Sequence, residues 1–184
     1  MLYYWVQNTL SNFLINSYMV PKTEVTCSNV DDITGTLGAG LWDTNENFHG
    51  IELYEGSGTT PCLTGKTVTS MTTKLWRVTS SSSDLFYFVV IPAGSGTTPS
   101  ATSLGVAQST LTTSTSGEIL ELSFTSPHTM VDGDRIGVWY EGAEGIRMSK
   151  SDSVTVANGY LGVAYQGGWN TSSIYQGYVI AVGT

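Results

Sequence analysis

GSGTTP occurs at Gly56–Pro61 and again, letter for letter, at Gly94–Pro99. A repeated hexapeptide can be a linker between domains, the mark of a duplicated module, or one kind of turn used twice. Each reading gives a different fold. Each copy follows an apolar stretch, ending at Tyr54 in GIELY and at Ile91 in DLFYFVVI. The flanks after the copies, CLTGKTV and SATSLGV, share too little for a duplicated module. Glycine gives the backbone freedom and proline fixes φ, so the hexapeptide reads as an exposed turn. Two strand-like stretches lie between the copies, joined by the polar TSSSSD (Thr79–Asp84). If those stretches pair as a hairpin, the chain goes out and comes back. Both loops then sit at the same pole of one domain.

Strand signals recur outward from these loops about every ten residues. KTVTSMTTKLWRV (Lys66–Val78) is long and Thr-rich. DLFYFVVI (Asp84–Ile91) is continuously apolar, as a strand buried on both faces should be. ATSLGVA (Ala101–Ala107) is the next. EILELSFT (Glu118–Thr125) alternates, with Leu120, Leu122 and Phe124 on one face and Glu121 and Ser123 on the other. RIGVWYEG (Arg135–Gly142) does the same through Ile136, Val138 and Tyr140. GIRMS, SVTVA, YLGVAY and QGYVIAVG complete the series, with Gly, Ser, Pro, Asn and Asp clusters between them. Short strands at regular spacing predict an all-β protein, an antiparallel β-sandwich of jelly-roll type. Helix is scarce: Thr9–Met19 carries a weak helical pattern and reads equally as an extended arm. The expected organisation is an N-terminal arm over residues 1–22 and one sandwich domain over residues 23–184.

Composition narrows the function classes. The 184 residues suffice for one ordinary domain, which buries ~70 % of its unfolded surface without help from a metal. Charged residues are 12 % of the chain, about half the usual ~25 %. Ser and Thr take over as polar surface. The balance is acidic, 15 Asp and Glu against 7 scattered Lys and Arg, which argues against a nucleic-acid partner. An uncharged polymer such as a glycan stays open. Low charge with many hydroxyls fits an extracellular or virion-surface location. Residues 1–21 carry no basic residue before Lys22, and Asn8, Asn12 and Asn16 interrupt the apolar run. They therefore read neither as a signal peptide nor as a membrane span. The expectation is a mature chain, or one delivered by assembly.

Few residues carry chemistry. Cys27 and Cys62 are a candidate disulfide that would tie the N-terminal segment to the first GSGTTP loop; the alternative is two unpaired thiols. His49 and His128 have no metal-ligand spacing, and there is no Gly-x-Ser-x-Gly elbow or phosphate loop. No catalytic residue is assigned and no cofactor is expected. Asp132 and Asp134, around Gly133, signal a turn and also carry oxygens that suit Ca²⁺; Asp43 and Glu46 in DTNEN have suitable atoms without a recognised spacing. Asn170-Thr171-Ser172 is a glycosylation acceptor pattern of low specificity in so hydroxyl-rich a chain. Rings, amides and glycines gather in YQGGWNTSSIYQGY (Tyr165–Tyr178). Trp169, Asn170, Tyr165 and Tyr175 are the glycan-binding candidates there, because sugar C–H faces stack on rings and hydroxyls bond to amides. Trp76 and Trp139, within strands, read as core.

The run from TGKTVTSMTTKLWRV through TLTTSTSGEILELSFTSPHTMVDGDRIGVWYEG resembles carbohydrate-binding-module-like jelly-roll domains of secreted microbial, especially archaeal, proteins. The resemblance covers about residues 64–142. It rests on Leu111-Thr112-Thr113, on Phe124 at a strand end, on Gly133–Gly137 and on Tyr140–Gly142. It implies the fold and an adhesive or structural role, and carries over no binding residue.

Three functions compete. The first is a non-enzymatic structural protein that self-assembles outside the cell, as a virion surface, decoration or fibre protein or a filament subunit. Tyr3, Tyr4, Trp5, Val6, Phe13, Leu14 and Ile15 would pack on another subunit of the same or another structural protein. The second is a carbohydrate-binding module or adhesin. The third is a jelly-roll hydrolase, which needs two facing carboxylates.

Overall fold

The computed structural model describes residues 24–29, 38–39, 47–78, 83–114, 116–140, 142, 145–151, 156–157, 159–171, 176–177 and 180–184. Alternating sequence becomes strand along this chain because Val, Thr and aromatic side chains fit a pleated surface. In chain order the described strands are β1 (Val25–Ser28), β2 (Gly38–Ala39), β3 (Phe48–Leu53), β4 (Thr67–Arg77), β5 (Leu85–Ile91), β6 (Ala101–Thr102), β7 (Val106–Ala107), β8 (Glu118–Thr129), β9 (Arg135–Tyr140), β10 (Ile146–Ser151), β11 (Val156–Ala157), β12 (Tyr160–Tyr165), β13 (Trp169–Thr171), β14 (Gln176–Gly177) and β15 (Ile180–Gly183). The expected strand Ala101–Ala107 is broken in two. Ser103 turns its hydroxyl back to accept the Phe88 amide and to donate to the Leu104 carbonyl, both at 2.9 Å.

The strands form two antiparallel sheets packed as a sandwich. In the first, β8 lies along one edge of β4, while β15 and β10 share its other edge. β1 lies beyond β15, and β2 and β14 join β10. In the second, the order is β12-β3-β9-β5. There β11 and β13 share the outer edge of β12, and β6 and β7 share that of β5. Consecutive long strands, β3, β4, β5, β8, β9, β10, β12 and β15, alternate between the two sheets.

The core lies between the sheets. Ile51, Leu53, Phe86, Phe88, Val90, Ile136, Val138 and Tyr160 from the second sheet meet Val68, Met71, Leu75, Ile146 and Met148 from the first. The Tyr160 hydroxyl accepts the Leu63 amide at 3.2 Å. Burial pushes this phenol above its ordinary value near 10, partly offset by backbone hydrogen bonds from Leu63 and Cys62.

β4 and β5 do not form the hairpin expected between the two GSGTTP copies, because they belong to opposite sheets. The loops still share a pole, for a different reason. The chain crosses the sandwich between them, so the segment before β4 and the segment after β5 emerge at the same end. Both are bonded to the turn at 132–134. Asp132 Oδ1 accepts the Glu55 amide at 2.8 Å, and Asp134 Oδ1 accepts the Ala93 amide at 3.1 Å. Asp134 Oδ2 takes the Val131 amide at 3.0 Å and meets His128 Nε2 at 2.7 Å. Asp134 is only 1 % exposed. A carboxylate so buried is stable because donors surround it. The structure shows a turn at this motif, with both carboxylates bonded to backbone amides.

Cys27 on β1 and Cys62 just after the first loop form a disulfide with a sequence separation of 35 residues. The arm expected over residues 1–22, with Tyr3, Tyr4, Trp5, Val6, Phe13, Leu14 and Ile15, lies outside the described residues, as do Asp43, Glu46 and Tyr175.

These ties have measurable consequences for stability. Closing a loop of this length stabilises the fold by about 4 kcal/mol through the unfolded chain's entropy. Cys27→Ser with Cys62→Ser is therefore expected to lower the free energy of unfolding by that order in a urea titration, and reductant should do the same to the wild type. Asp134→Asn puts an amide N–H against backbone N–H groups and is expected to cost about 3 kcal/mol, read the same way. Asp132→Ala, on the exposed side of the turn, should cost distinctly less.

Candidate functional site

The run FYFVVI (Phe86–Ile91) decides which face of the molecule is unusual. Phe86, Phe88 and Val90 point into the sandwich core. Tyr87, Val89 and Ile91 point the other way, onto the outer face of the second sheet, and belong to a second apolar cluster. An antiparallel sheet in a sandwich normally leaves its outer face polar. Here Phe48, Val163, Tyr87, Trp139, Leu161, Tyr165 and Trp169 cover it instead.

Register makes a row of rings across this face. Tyr87 on β5 is paired with Trp139 on β9, and Trp139 with Phe48 on β3. Phe48 is paired with Tyr165 on β12, and Tyr165 with Trp169 on β13. Five aromatic residues thus occupy one cross-strand line over five adjacent strands. At ~4.8 Å per strand the line runs ~19 Å.

Two glycines make the floor. Gly50 and Gly137 are paired on β3 and β9. A Cβ on either would lie within 3.0 Å of the Phe48 ring tip and of the opposite backbone. Their bare backbone lets Phe48 lie down on the sheet, fully buried. Trp169 closes over it, edge to face, with ring centres 5.3 Å apart. Tyr165 contacts Trp169 at 5.2 Å and Trp139 at 6.0 Å. The Arg135 guanidinium stacks 4.2 Å from the Trp169 ring centre, and Arg135 Nε meets Glu52 Oε2 at 2.7 Å. This ion pair brings no net charge to the face.

Trp169 also reaches the second GSGTTP loop. Its indole Nε1 donates to the Gly96 carbonyl at 3.0 Å. Gly96 presents that carbonyl from φ 67°, a conformation that side-chain-bearing residues rarely adopt. The loop is braced from within by Ser95 Oγ, which donates to the carbonyls of Pro92 at 2.7 Å and Thr98 at 3.2 Å. Between this loop and the ring row lies a cavity of about 330 Å³, lined by Tyr87, Val89, Ile91, Thr97, Pro99, Thr102 and Trp139. The lining combines two rings, two aliphatic side chains, a proline and two threonines, with no charged residue.

The structure redistributes the candidate residues. Tyr165 and Trp169 do belong to the aromatic face, but Trp169 is half-buried and packed as a clamp over Phe48, not set out as a platform. Asn170 is exposed, and its amide donates to the Gly168 carbonyl at 3.5 Å. Trp76 is buried, but on the face of β4 opposite its core neighbour Leu75, paired with Arg147. Trp139 is not core: it stands half-buried on the outer face and lines the cavity. It does lie in a strand, but it alternates with the core residues Val138 and Tyr140 and so points to the opposite face. Tyr87, Thr97, Pro99 and Thr102 are cavity residues that sequence reasoning misses. The one signal is the absence of alternation in Phe86–Ile91, and it concerns Tyr87 alone. Among the described residues, no three His, Cys, Asp or Glu side chains gather as a metal site, and no helix is long and apolar enough to cross a membrane.

Comparison of the chain with protein-family models, with curated proteins and with solved structures finds no match.

Proposed function

We propose that this chain is a non-enzymatic recognition module of an extracellular or surface assembly, and that it binds glycan on the outer face of its second sheet. One observation carries the reading: the cross-strand row Tyr87, Trp139, Phe48, Tyr165 and Trp169, set beside a cavity lined by rings and threonines. A sugar ring has apolar C–H faces and a rim of hydroxyls, and this face offers the complement of both. Binding is favoured over hydrolysis because the cavity lining contains no carboxylate, whereas glycoside hydrolysis needs two. The disulfide supports an oxidising, extracellular setting.

Assembly with other subunits is the second reading, and one feature favours it. Leu85 on β5 and Leu104 in the β6–β7 connection are 41 % and 75 % exposed, large apolar side chains at that edge of the sheet. A virion, decoration or filament role rests on this edge and on the arm over residues 1–22.

The two readings separate in one comparison. Trp139→Ala is expected to abolish glycan-array binding and leave the native mass by light scattering unchanged. Leu104→Ser is expected to leave array binding intact, and a fall in native mass for that variant would establish the assembly reading. A wild-type protein that binds no glycan on the array would remove the glycan reading.

A further inference from the structure

Building on the glycan reading, we infer that the cavity holds a single neutral pyranose at the end of a glycan, and that Trp169 is a positioning residue that fixes the cavity's loop wall.

Size sets the number of rings. A volume of about 330 Å³ is at the lower end of the ~300–1,000 Å³ typical of small-molecule sites. That admits one ring, not an extended chain lying along the face. The second GSGTTP loop contributes Thr97 and Pro99 as a wall, so a glycan enters by its terminus. Tyr87 and Trp139 then meet the C–H face of the ring, and Thr97 and Thr102 supply hydroxyls.

Charge sets the kind of ring. Each of the seven lining residues is uncharged. Arg135 and Glu52, on the same face, hold each other at 2.7 Å. A carboxylated sugar would lose its hydration here without gaining a cationic partner. A neutral sugar loses only weakly held water from its C–H face.

Trp169 does not line the cavity, yet the wall depends on it. Its Nε1 donates to Gly96, one residue before Thr97. The ring is held in turn by Phe48, Tyr165 and Arg135. A second restraint on the loop is the Ala93 amide bonded to Asp134. Without the Trp169 bond, the loop between Gly94 and Pro99 keeps that tie at its base and its own Ser95 bonds. Thr97 then wanders from its bound position.

The test uses the full chain bound to an array glycan, competed with the methyl glycosides of glucose, galactose and mannose and with the matching uronic acids. At least one neutral glycoside is expected to compete in the millimolar range, its uronic acid at least about tenfold more weakly, with no effect of added salt. Trp169→Phe keeps a ring and removes the donor, and is expected to weaken binding about fivefold in a chain that still unfolds in one cooperative transition. Thr97→Val, on the exposed loop, keeps the side chain's shape, loses the hydroxyl, and should weaken binding similarly. Glycan binding that no monosaccharide competes, that accepts the uronic acid equally, or that ignores both substitutions would overturn this inference and leave the glycan reading standing. If the wild-type chain captures no glycan at all, the glycan reading falls and this inference with it.

Discussion

Asp134 is the constraint on which the arrangement depends. Its carboxylate is buried at the pole of the sandwich, where an unbonded charge would be untenable. It is satisfied by the Ala93 and Val131 amides and by His128. Those donors come from the segment before the second GSGTTP loop, the turn itself and the end of β8. One side chain thereby places three parts of the chain. The neighbouring Asp132 adds the first GSGTTP segment through Glu55. The second loop, held at its base in this way, becomes one wall of the cavity.

The other requirement is a sheet that is apolar on both faces. A sandwich needs only its inner faces apolar, and the first sheet keeps that rule at β8, where exposed and part-buried residues alternate. The second sheet departs from it at β5, where the last four residues are all buried. Exposed, the outer row would be an unfavourable expanse of ring and aliphatic surface. Part of it is sheltered by Trp169 and part by the second loop. Tyr87 and Trp139, both half-exposed, are the part of the row beside the cavity. Local packing and the candidate site are thus one feature: Gly50 and Gly137 let Phe48 lie flat, Phe48 seats Trp169, and Trp169 holds the loop.

Two signals in the sequence concern this face, and they differ in quality. The cluster around Trp169 stands out because rings, amides and glycines are close together there along the chain. That proximity does locate the aromatic face, where the fold packs Trp169 over Phe48. The unbroken apolar run Phe86–Ile91 is the better pointer. It indicates burial on both faces, which the structure shows, but what covers the second face is not a property of the run itself.

Alternation, turn residues and composition are enough to determine the all-β class, most strands, the face of β8 and β9 that is buried, the turn at Asp132–Asp134 and the pairing of Cys27 with Cys62 as a candidate. These depend on residues near one another in the chain, or on there being only two cysteines. The tertiary structure alone decided that β4 and β5 lie in opposite sheets, and that Tyr87, Trp139, Phe48, Tyr165 and Trp169 form one row. Those residues come from five strands spread over more than half the chain, and the register that aligns them is set by hydrogen bonds between backbones, which look alike whatever side chains they carry.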